Sequence, residues 1–272
     1  MWEEDLEDGS RQKVAWLIGI IAACAAAVVG WYWYSSHHQA PAEPVAPPPP
    51  PQAAGSGEPQ IEHPMPEAGD ATALPALNDS DQVVHDSLAG VIGRNPVEQL
   101  LVPQNIVRHI VVTVDNLPLR KVAVDLRPVK PTGGQVVVAS QGDVTTIGDA
   151  NFARYAPLAH VVEATDVKAL AVVYTRLYPL FQQSYEDLGY PGKYFNDRLV
   201  QVIDHLLQTP EVPGPIQVVQ PKVFYEYADP NLESRSAGQK LLIRMGPANA
   251  RIIKAKLRDF RAEIVKKNNA AP

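Results

Sequence analysis

The stretch that decides the fold is residues 166–188, DVKALAVVYTRLYPLFQQSYEDL. Its apolar side chains recur every three or four residues, which is the spacing of one face of an α-helix. The positions on that face are Leu170, Val173, Tyr174, Leu177, Phe181 and Tyr185. Gly189 follows them, and glycine commonly ends a helix. The pattern predicts a long amphipathic helix that other helices cover.

Further helical patterns lie on both sides of this stretch. We predict three helices with a capping residue: Ser80 caps a helix that carries residues 83–91, Asn95 caps one that ends at residue 102, and Asn196 caps one that carries residues 199–207. Four further helices are predicted over 106–117, 151–162, 236–245 and 247–267. Strand patterns are short: residues 135–139, and a pair within residues 216–227 broken near Gln220. The predicted fold class is mainly α with a small β element.

A second informative stretch, residues 14–34, reads VAWLIGIIAACAAAVVGWYWY and contains no charge. A helix of that length is about 31 Å long and matches a bilayer core of about 30 Å. Arg11 and Lys13 precede it, and the next basic residue is Arg94. Because basic residues stay on the cytoplasmic side, we predict a cytoplasmic tail (1–13), a single transmembrane helix (14–34) in a bacterial inner membrane, and a periplasmic remainder.

The single cysteine, Cys24, leaves a different anchor open. The segment IAAC at residues 21–24 resembles the lipobox of bacterial lipoproteins, in which the cysteine carries lipid and the preceding residues are removed. We prefer the uncleaved helix, because the apolar run continues past Cys24 to Tyr34. With no cysteine after residue 24, the exported part can form no internal disulfide and has no cysteine nucleophile.

Residues 35–73 are predicted to be a disordered Pro/Ala-rich linker. They contain ten of the 26 prolines and five acidic residues, with no basic residue. Such a segment cannot bury enough apolar surface to offset the entropy lost on ordering. An extended proline-rich chain of this length reaches on the order of 100 Å. We predict a globular exported domain over residues 74–267 and a tail over 268–272.

The globular part is nearly neutral, with 22 basic and 20 acidic residues after residue 73. The net charge of −6 therefore comes from the N-terminal segments. The sequence lacks the HExxH, Walker, GxGxxG and GxSxG patterns, and its histidines show no metal-ligand spacing. We predict no metal and no cofactor, and an exported domain is not expected to bind nucleic acid.

Several segments of the globular part together resemble one protein family. They are DSD at residues 79–81, TVDNLP at 113–118, NFARY at 151–155, LYPLFQQSYEDLGYP at 177–191, FNDRL at 195–199, ADPNLE at 228–233 and GQKLLIRMGP at 238–247. The chain resembles the bacterial domain-of-unknown-function family 3014, which is similar to it in its N-terminal membrane helix and Pro/Ala-rich spacer. The resemblance implies no activity, substrate or cofactor.

Four polar residues are the candidates for a catalytic site: Asp115, Arg154, Asp197 and Arg198. A carboxylate beside an arginine can bind a ligand or transfer a proton. Each also fits a structural role, because Asp115 lies where a helix is expected to end and Asp197 where one begins. We prefer the structural interpretation and assign no catalytic residue.

The C-terminal segment is strongly basic, with ten basic and two acidic residues over 235–267. Lys254, Arg258 and Arg261 flank the apolar stripe of the predicted last helix. They form a possible basic face for an anionic lipid surface or an acidic partner. The alternative is a docked terminal helix whose basic residues face water.

From these patterns we predict an interaction or scaffold module of the cell envelope that binds an envelope protein partner. The alternative is an enzyme acting on the envelope or cell wall through a carboxylate such as Asp115 or Asp197. An enzyme needs polar groups that converge in a deep pocket, whereas a binding module exposes a patch or groove.

Overall fold

The computed structural model describes residues 61–65 and 74–266, which belong to one compact unit. The predicted cytoplasmic tail (1–13), the transmembrane helix (14–34) with Cys24, most of the linker (35–73) and the tail (268–272) lie outside the described residues. In the part of the chain that is described, no helix is both long enough and apolar enough to cross a membrane.

Ten α-helices and four short strands make up the regular structure of the described residues. The helices are α1 (Asp81–Ile92), α2 (Arg94–Leu100), α3 (Ile106–Asn116), α4 (Asp149–Phe152), α5 (Ala156–Ala164), α6 (Val167–Asp187), α7 (Phe195–Leu207), α8 (Pro230–Glu233), α9 (Ala237–Arg244) and α10 (Pro247–Ile264). The strands are β1 (Ala139–Gln141), β2 (Val144–Ile147), β3 (Ile216–Val219) and β4 (Glu226–Tyr227), in one antiparallel sheet of that order. The predicted class, mainly helical with a small sheet, is confirmed.

Helix α6 forms the centre of the domain, as its apolar periodicity predicts. Asp166 caps its start, since the carboxylate accepts hydrogen bonds from the backbone N–H groups of Lys168 and Ala169 at 2.9 and 3.2 Å. Leu177 and Phe181 are buried in the main apolar core, and α6 packs against α3 and α10.

The start of α3 is fixed by a residue from another helix. The carboxylate of Asp81, in the first turn of α1, accepts hydrogen bonds from the backbone N–H groups of Asn105 and Ile106, both at 2.8 Å. These groups have no partner within their own helix, so the carboxylate satisfies them and suits the positive end of the helix dipole. The helix predicted over 106–117 is confirmed.

The two caps predicted for α1 and α2 are wrong. Ser80 has a helical backbone and closes the preceding 3₁₀ turn, and its hydroxyl donates to the carbonyl of Leu77 at 2.8 Å instead of accepting from α1. Helix α2 begins at Arg94, directly after Gly93 with φ +88°, so Asn95 lies inside the first turn. In both places the adjoining turn determines the helix start and overrides the local cap preference.

The first strand is also displaced from its predicted position. Residues 135–139 were expected to form it from their valines, but β1 begins at Ala139 and pairs with β2 through a turn containing Gly142, φ +59°. Val136 and Val138 are instead partly buried, and they pack against a cluster of buried apolar side chains that is separate from the main apolar core. The strand pair predicted within 216–227 is confirmed as β3 and β4.

The last two helices follow the prediction. The Ser236 hydroxyl accepts the backbone N–H of Gln239 at 3.2 Å and caps α9. Gly246, with φ +82°, turns the chain into α10, whose first residue is Pro247. Helix α10 packs across α5, α6 and α7 and closes the helical core.

Candidate functional site

The candidate site lies at the N-terminal end of α7, where the chain places a run of polar side chains. Helix α6 satisfies the first backbone N–H groups of α7: Phe195 N–H donates to the Gln182 side chain at 2.9 Å, and Asn196 N–H to the Tyr178 hydroxyl at 3.3 Å. The start of α7 is therefore held against the central helix, and the side chains of residues 194–198 have fixed positions.

Two of the predicted candidates, Asp115 and Arg198, form a half-buried ion pair. Arg198 Nε donates to Asp115 Oδ1 at 2.9 Å, and Arg198 Nη2 donates to the Asp115 carbonyl at 2.9 Å. The Tyr190 hydroxyl donates to the other carboxylate oxygen at 3.0 Å. That hydrogen bond and the charge of Asp115 raise the pKa of Tyr190. The cluster ties the end of α3 to α7 and to the loop before it.

Asp197 lies next to this pair but has different partners. Its Oδ2 accepts the backbone N–H of Glu62 at 3.1 Å, and its Oδ1 accepts the backbone N–H of His63 at 2.7 Å. Both carboxylate oxygens therefore hold a segment that lies more than 130 positions earlier in the sequence. Residues 61–65, which composition assigns to the linker, lie on the helical domain.

Asn196 was expected to cap α7 but does not, because the cap position belongs to Tyr194. The Asn196 side chain is fully buried, accepts from the Tyr174 hydroxyl at 3.1 Å and donates to the carbonyls of His63 at 2.9 Å and Ile264 at 3.3 Å. Burial raises the pKa of Tyr174, which keeps its hydroxyl protonated as the donor. Asn196 thus joins α6, the end of α10 and the 61–65 segment.

An open cavity of about 810 Å³ lies beside this junction, and we call it the α7 cleft. Its lining includes Glu62, Tyr185, Lys193, Tyr194, Asp197 and Arg198. A second cavity, of about 350 Å³, lies across Asp197 and reaches Asp204 and His205. Both cavities share Glu62 and Asp197, so the 61–65 segment lies between them.

Arg154, the remaining candidate, is not part of this site. It donates to the carbonyls of Gly133 and Gly134, at 3.2 and 2.8 Å from Nη2, and to the Asn151 side chain at 3.0 Å. These contacts hold the loop before β1 against α4. The structure therefore unites Asp115, Asp197 and Arg198 in one region and gives Arg154 a separate structural contact.

The possible basic face on α10 is not assembled as the sequence suggested. Lys254 is buried and its ammonium donates to the Thr209 carbonyl at 2.7 Å. Arg261 makes a bidentate ion pair with Asp204, with N–O distances of 2.6 and 2.8 Å, which raises the pKa of Arg261. Arg258 is exposed. Helix α10 is docked on the domain as in the alternative, but of these three bases only Arg258 faces water, because Lys254 and Arg261 contact the domain.

The described residues contain no group of three or more His, Cys, Asp or Glu side chains that could hold a metal ion. The polar chemistry of the region is that of carboxylate, amide, phenol and guanidinium groups which contact main-chain atoms and one another. Such an arrangement is suited to binding.

Comparison with known proteins gives one family match. The model of a family described as "Protein of unknown function (DUF3014)" matches residues 106–261. This range includes α3, α6, α7 and most of α10, and it confirms the resemblance drawn from the sequence motifs, although the DSD motif and the 61–65 segment lie outside it. No curated protein and no solved structure matches the chain significantly.

Proposed function

The chain belongs to the DUF3014 family, whose description assigns no activity, and from its own geometry we propose that it is a membrane-anchored interaction module of the bacterial envelope. The helical domain binds an envelope protein on the periplasmic side, through the face that carries the α7 cleft. The N-terminal helix over residues 14–34 keeps the domain at the inner membrane, and the proline-rich segment gives it reach.

The observation that carries this proposal is the docked 61–65 segment. The domain already holds a stretch of polypeptide through the side chains of Tyr194, Asn196 and Asp197. Open space of about 810 Å³ remains beside that stretch. A surface that holds one polypeptide segment and stays open next to it has the form of a protein interaction site.

The engagement of the carboxylates supports binding over catalysis. A general base needs a lone pair within hydrogen-bond reach of the proton that it removes. Asp115 already accepts from Arg198 and Tyr190, and Asp197 accepts two backbone N–H groups. Each oxygen of the two carboxylates therefore already has a native partner that holds the side chain in place.

The test is site-specific photocrosslinking of the full-length protein in intact cells. A photoreactive amino acid replaces Gln201, an exposed residue lining the α7 cleft. The matched control places the same group at Val172, which is 69% exposed on α6 and does not line the cleft. We expect a discrete crosslinked envelope protein from position 201 and none from position 172, with the product identified by mass spectrometry.

Deletion of residues 74–272 should remove the partner from a purification that uses an N-terminal tag. Equal crosslinking from both positions, or none from position 201, would contradict the proposed function.

A further inference from the structure

The contacts of residues 61–65 are made almost entirely by main-chain atoms. The Tyr194 hydroxyl accepts the N–H of Met65 at 2.7 Å, while Asp197 accepts the N–H groups of Glu62 and His63. The Asn196 amide donates to the His63 carbonyl at 2.9 Å. The groove thus contacts four main-chain groups, the N–H groups of Glu62, His63 and Met65 and the carbonyl of His63, and the chain bends at Glu62 and His63.

The side chains of the segment contribute much less. Ile61 is 49% exposed, and Glu62 and Pro64 are also exposed. Met65 alone of the five packs against the main apolar core, where it is partly buried. Recognition that depends on backbone groups accepts many sequences, with specificity supplied by a few pockets.

The groove is longer than the segment that occupies it. The α7 cleft continues from Ile61 and Glu62 towards Lys193 and Arg198. On the other side, the 350 Å³ cavity continues along α7 towards His205. A peptide chain bound at Asp197 therefore has open space to enter on both sides.

We propose that the groove formed by Tyr194, Asn196 and Asp197 is a binding site for a peptide segment of a partner protein that presents the same main-chain groups as residues 61–65, and that residues 61–65 occupy it until the partner displaces them. This inference rests on the proposed function, because it names the class of ligand that the interaction face accepts.

The hydrogen bonds define what such a peptide must look like. It needs main-chain N–H groups at the positions of Glu62, His63 and Met65, because each donates to the groove. The position of Pro64 makes no N–H contact, so proline is allowed there. The preferred ligand is a segment with proline at the third of these four positions and at none of the other three.

Because the chain's own segment occupies the groove, a partner must bind with enough affinity to displace it. Residues 66–73 alone separate the segment from the domain in the sequence, and covalent attachment over a short distance gives an effective concentration on the order of millimolar. A free peptide of equal intrinsic affinity therefore competes poorly with the native chain. Release of the segment should raise the apparent affinity for a peptide at least tenfold.

The test measures binding of a fluorescent peptide with the sequence of residues 58–66, EPQIEHPMP, to the full-length protein in detergent, by fluorescence anisotropy. The receptor is a full-chain variant that carries Glu62→Pro, His63→Pro and Met65→Pro, because these changes remove the three main-chain N–H donors of the segment. We expect binding to this variant and at least tenfold weaker binding to the native chain. Adding Asp197→Ala to the variant should abolish binding, because both acceptors of the paired N–H groups are lost.

The matched control is the peptide EPQIEPPMP, in which proline takes the place of His63 and removes one N–H donor to Asp197. It should bind at least tenfold more weakly than the native peptide. Equal binding of the two peptides would overturn the proposal, as would no binding to a triple-proline variant with a native circular dichroism spectrum. If that variant does not fold, the single substitution His63→Pro in the full chain releases the segment with a smaller change and serves as the receptor.

The outcome is distinguishable from failure of the proposed function. A crosslinked partner at position 201 together with no peptide binding would leave the interaction module standing and overturn the peptide groove. Peptide binding without a crosslinked partner would support the groove and contradict the envelope partner.

Discussion

At the scale of single residues, Asp115 connects three parts of the domain. It lies in α3, and its side chain, 11% exposed, contacts Arg198 of α7 and Tyr190 of the intervening loop. We expect Asp115→Asn to lower the free energy of unfolding by about 2 kcal/mol, because hydrogen bonds to a charged group contribute about 1.5–3 kcal/mol. Urea denaturation followed by circular dichroism measures this loss.

The exposed ion pair of Arg108 and Asp187 supplies the control. Its two side chains are 36% and 45% exposed, so solvent screens the interaction. Asp187→Asn should cost less than about 1 kcal/mol. Equal losses in the two variants would mean that the cluster at Asp115 is no more than a surface contact.

Tyr227 makes the domain sensitive to alkaline pH. Burial raises its pKa from the ordinary 10.0 to about 12, and its hydroxyl donates to the Lys240 carbonyl at 2.9 Å. The folded state therefore holds the proton where the unfolded state releases it. The stabilising contribution is complete below pH about 10 and disappears as the pH rises through about 12.

Because one pKa unit corresponds to about 1.4 kcal/mol, Tyr227→Phe should reduce the loss of stability between pH 8 and pH 11 by about that amount. Urea denaturation of both proteins at the two pH values gives the difference, in which the contributions of the other tyrosines cancel. A stability loss of the same size in both proteins would assign the alkaline sensitivity to other residues.

At the scale of elements, the turn between α9 and α10 depends on Gly246. Its φ is +82°, and a Cβ at this position would lie 2.6 Å from Cδ2 of Phe152. Both the backbone conformation and the contact oppose a side chain. Gly246→Ala should destabilise the domain by about 3 kcal/mol, read from the urea midpoint.

Gly90 provides the opposite case in the same assay. It is exposed in α1, and nothing lies within 4 Å of the Cβ that a substitution would add. Gly90→Ala should raise stability by about 0.5–1 kcal/mol, since alanine loses less entropy in a helix. If Gly90→Ala destabilised the domain as Gly246→Ala does, the backbone conformation and the space around each glycine would not explain the changes in stability.

The same comparison of elements shows what could be predicted from the sequence. Helices α3 and α6 carry apolar residues at helical spacing, so periodicity alone places them. The roles of Ser80 and Asn196 could not be predicted, because a preceding turn determines one and a fully buried set of contacts determines the other. Local cap preference is a weak signal when such tertiary contacts compete with it.

The candidate site was predictable only in part, for a related reason. Asp115, Asp197 and Arg198 stand out as polar residues near helix ends, but their partners depend on how distant elements pack. The docking of residues 61–65 is carried by main-chain groups, which every sequence possesses. The proline-rich composition therefore assigns residues 61–65 to the linker and does not predict that they bind to the domain. Likewise, nothing local marks Lys254 as buried, since its partner is the carbonyl of Thr209.

At the scale of the whole molecule, the docked segment divides the predicted linker. If residues 61–65 stay bound, the predicted tether extends from residue 35 to residue 60, with a reach of about 80 Å at 3.1 Å per residue. Release of the segment adds residues 61–73 to it. Partner binding and tether length are then coupled, because a partner that displaces the segment also lengthens the attachment to the membrane.

The anchor itself is the last prediction, and it depends on which of the two interpretations of residues 14–34 holds. An uncleaved helix needs only its apolar length to stay in the bilayer, whereas a lipoprotein needs the thiol of Cys24. We therefore expect the native chain and Cys24→Ala both to remain in the membrane fraction after alkaline washing, the native chain with its full mass of 29.6 kDa. A native chain that lacks residues 1–23 and carries lipid on Cys24 would establish the lipid anchor instead.

In the same cysteine-free background, single cysteines report the orientation. Ser140→Cys lies at an exposed position of β1, and Ser10→Cys lies in the predicted cytoplasmic tail. A membrane-impermeant maleimide should label the first once the outer membrane is permeabilised, and the second only after the inner membrane is broken, because Arg11 and Lys13 hold the N-terminus inside. The reverse labelling pattern would place the α7 cleft in the cytoplasm and would exclude an envelope protein as its ligand.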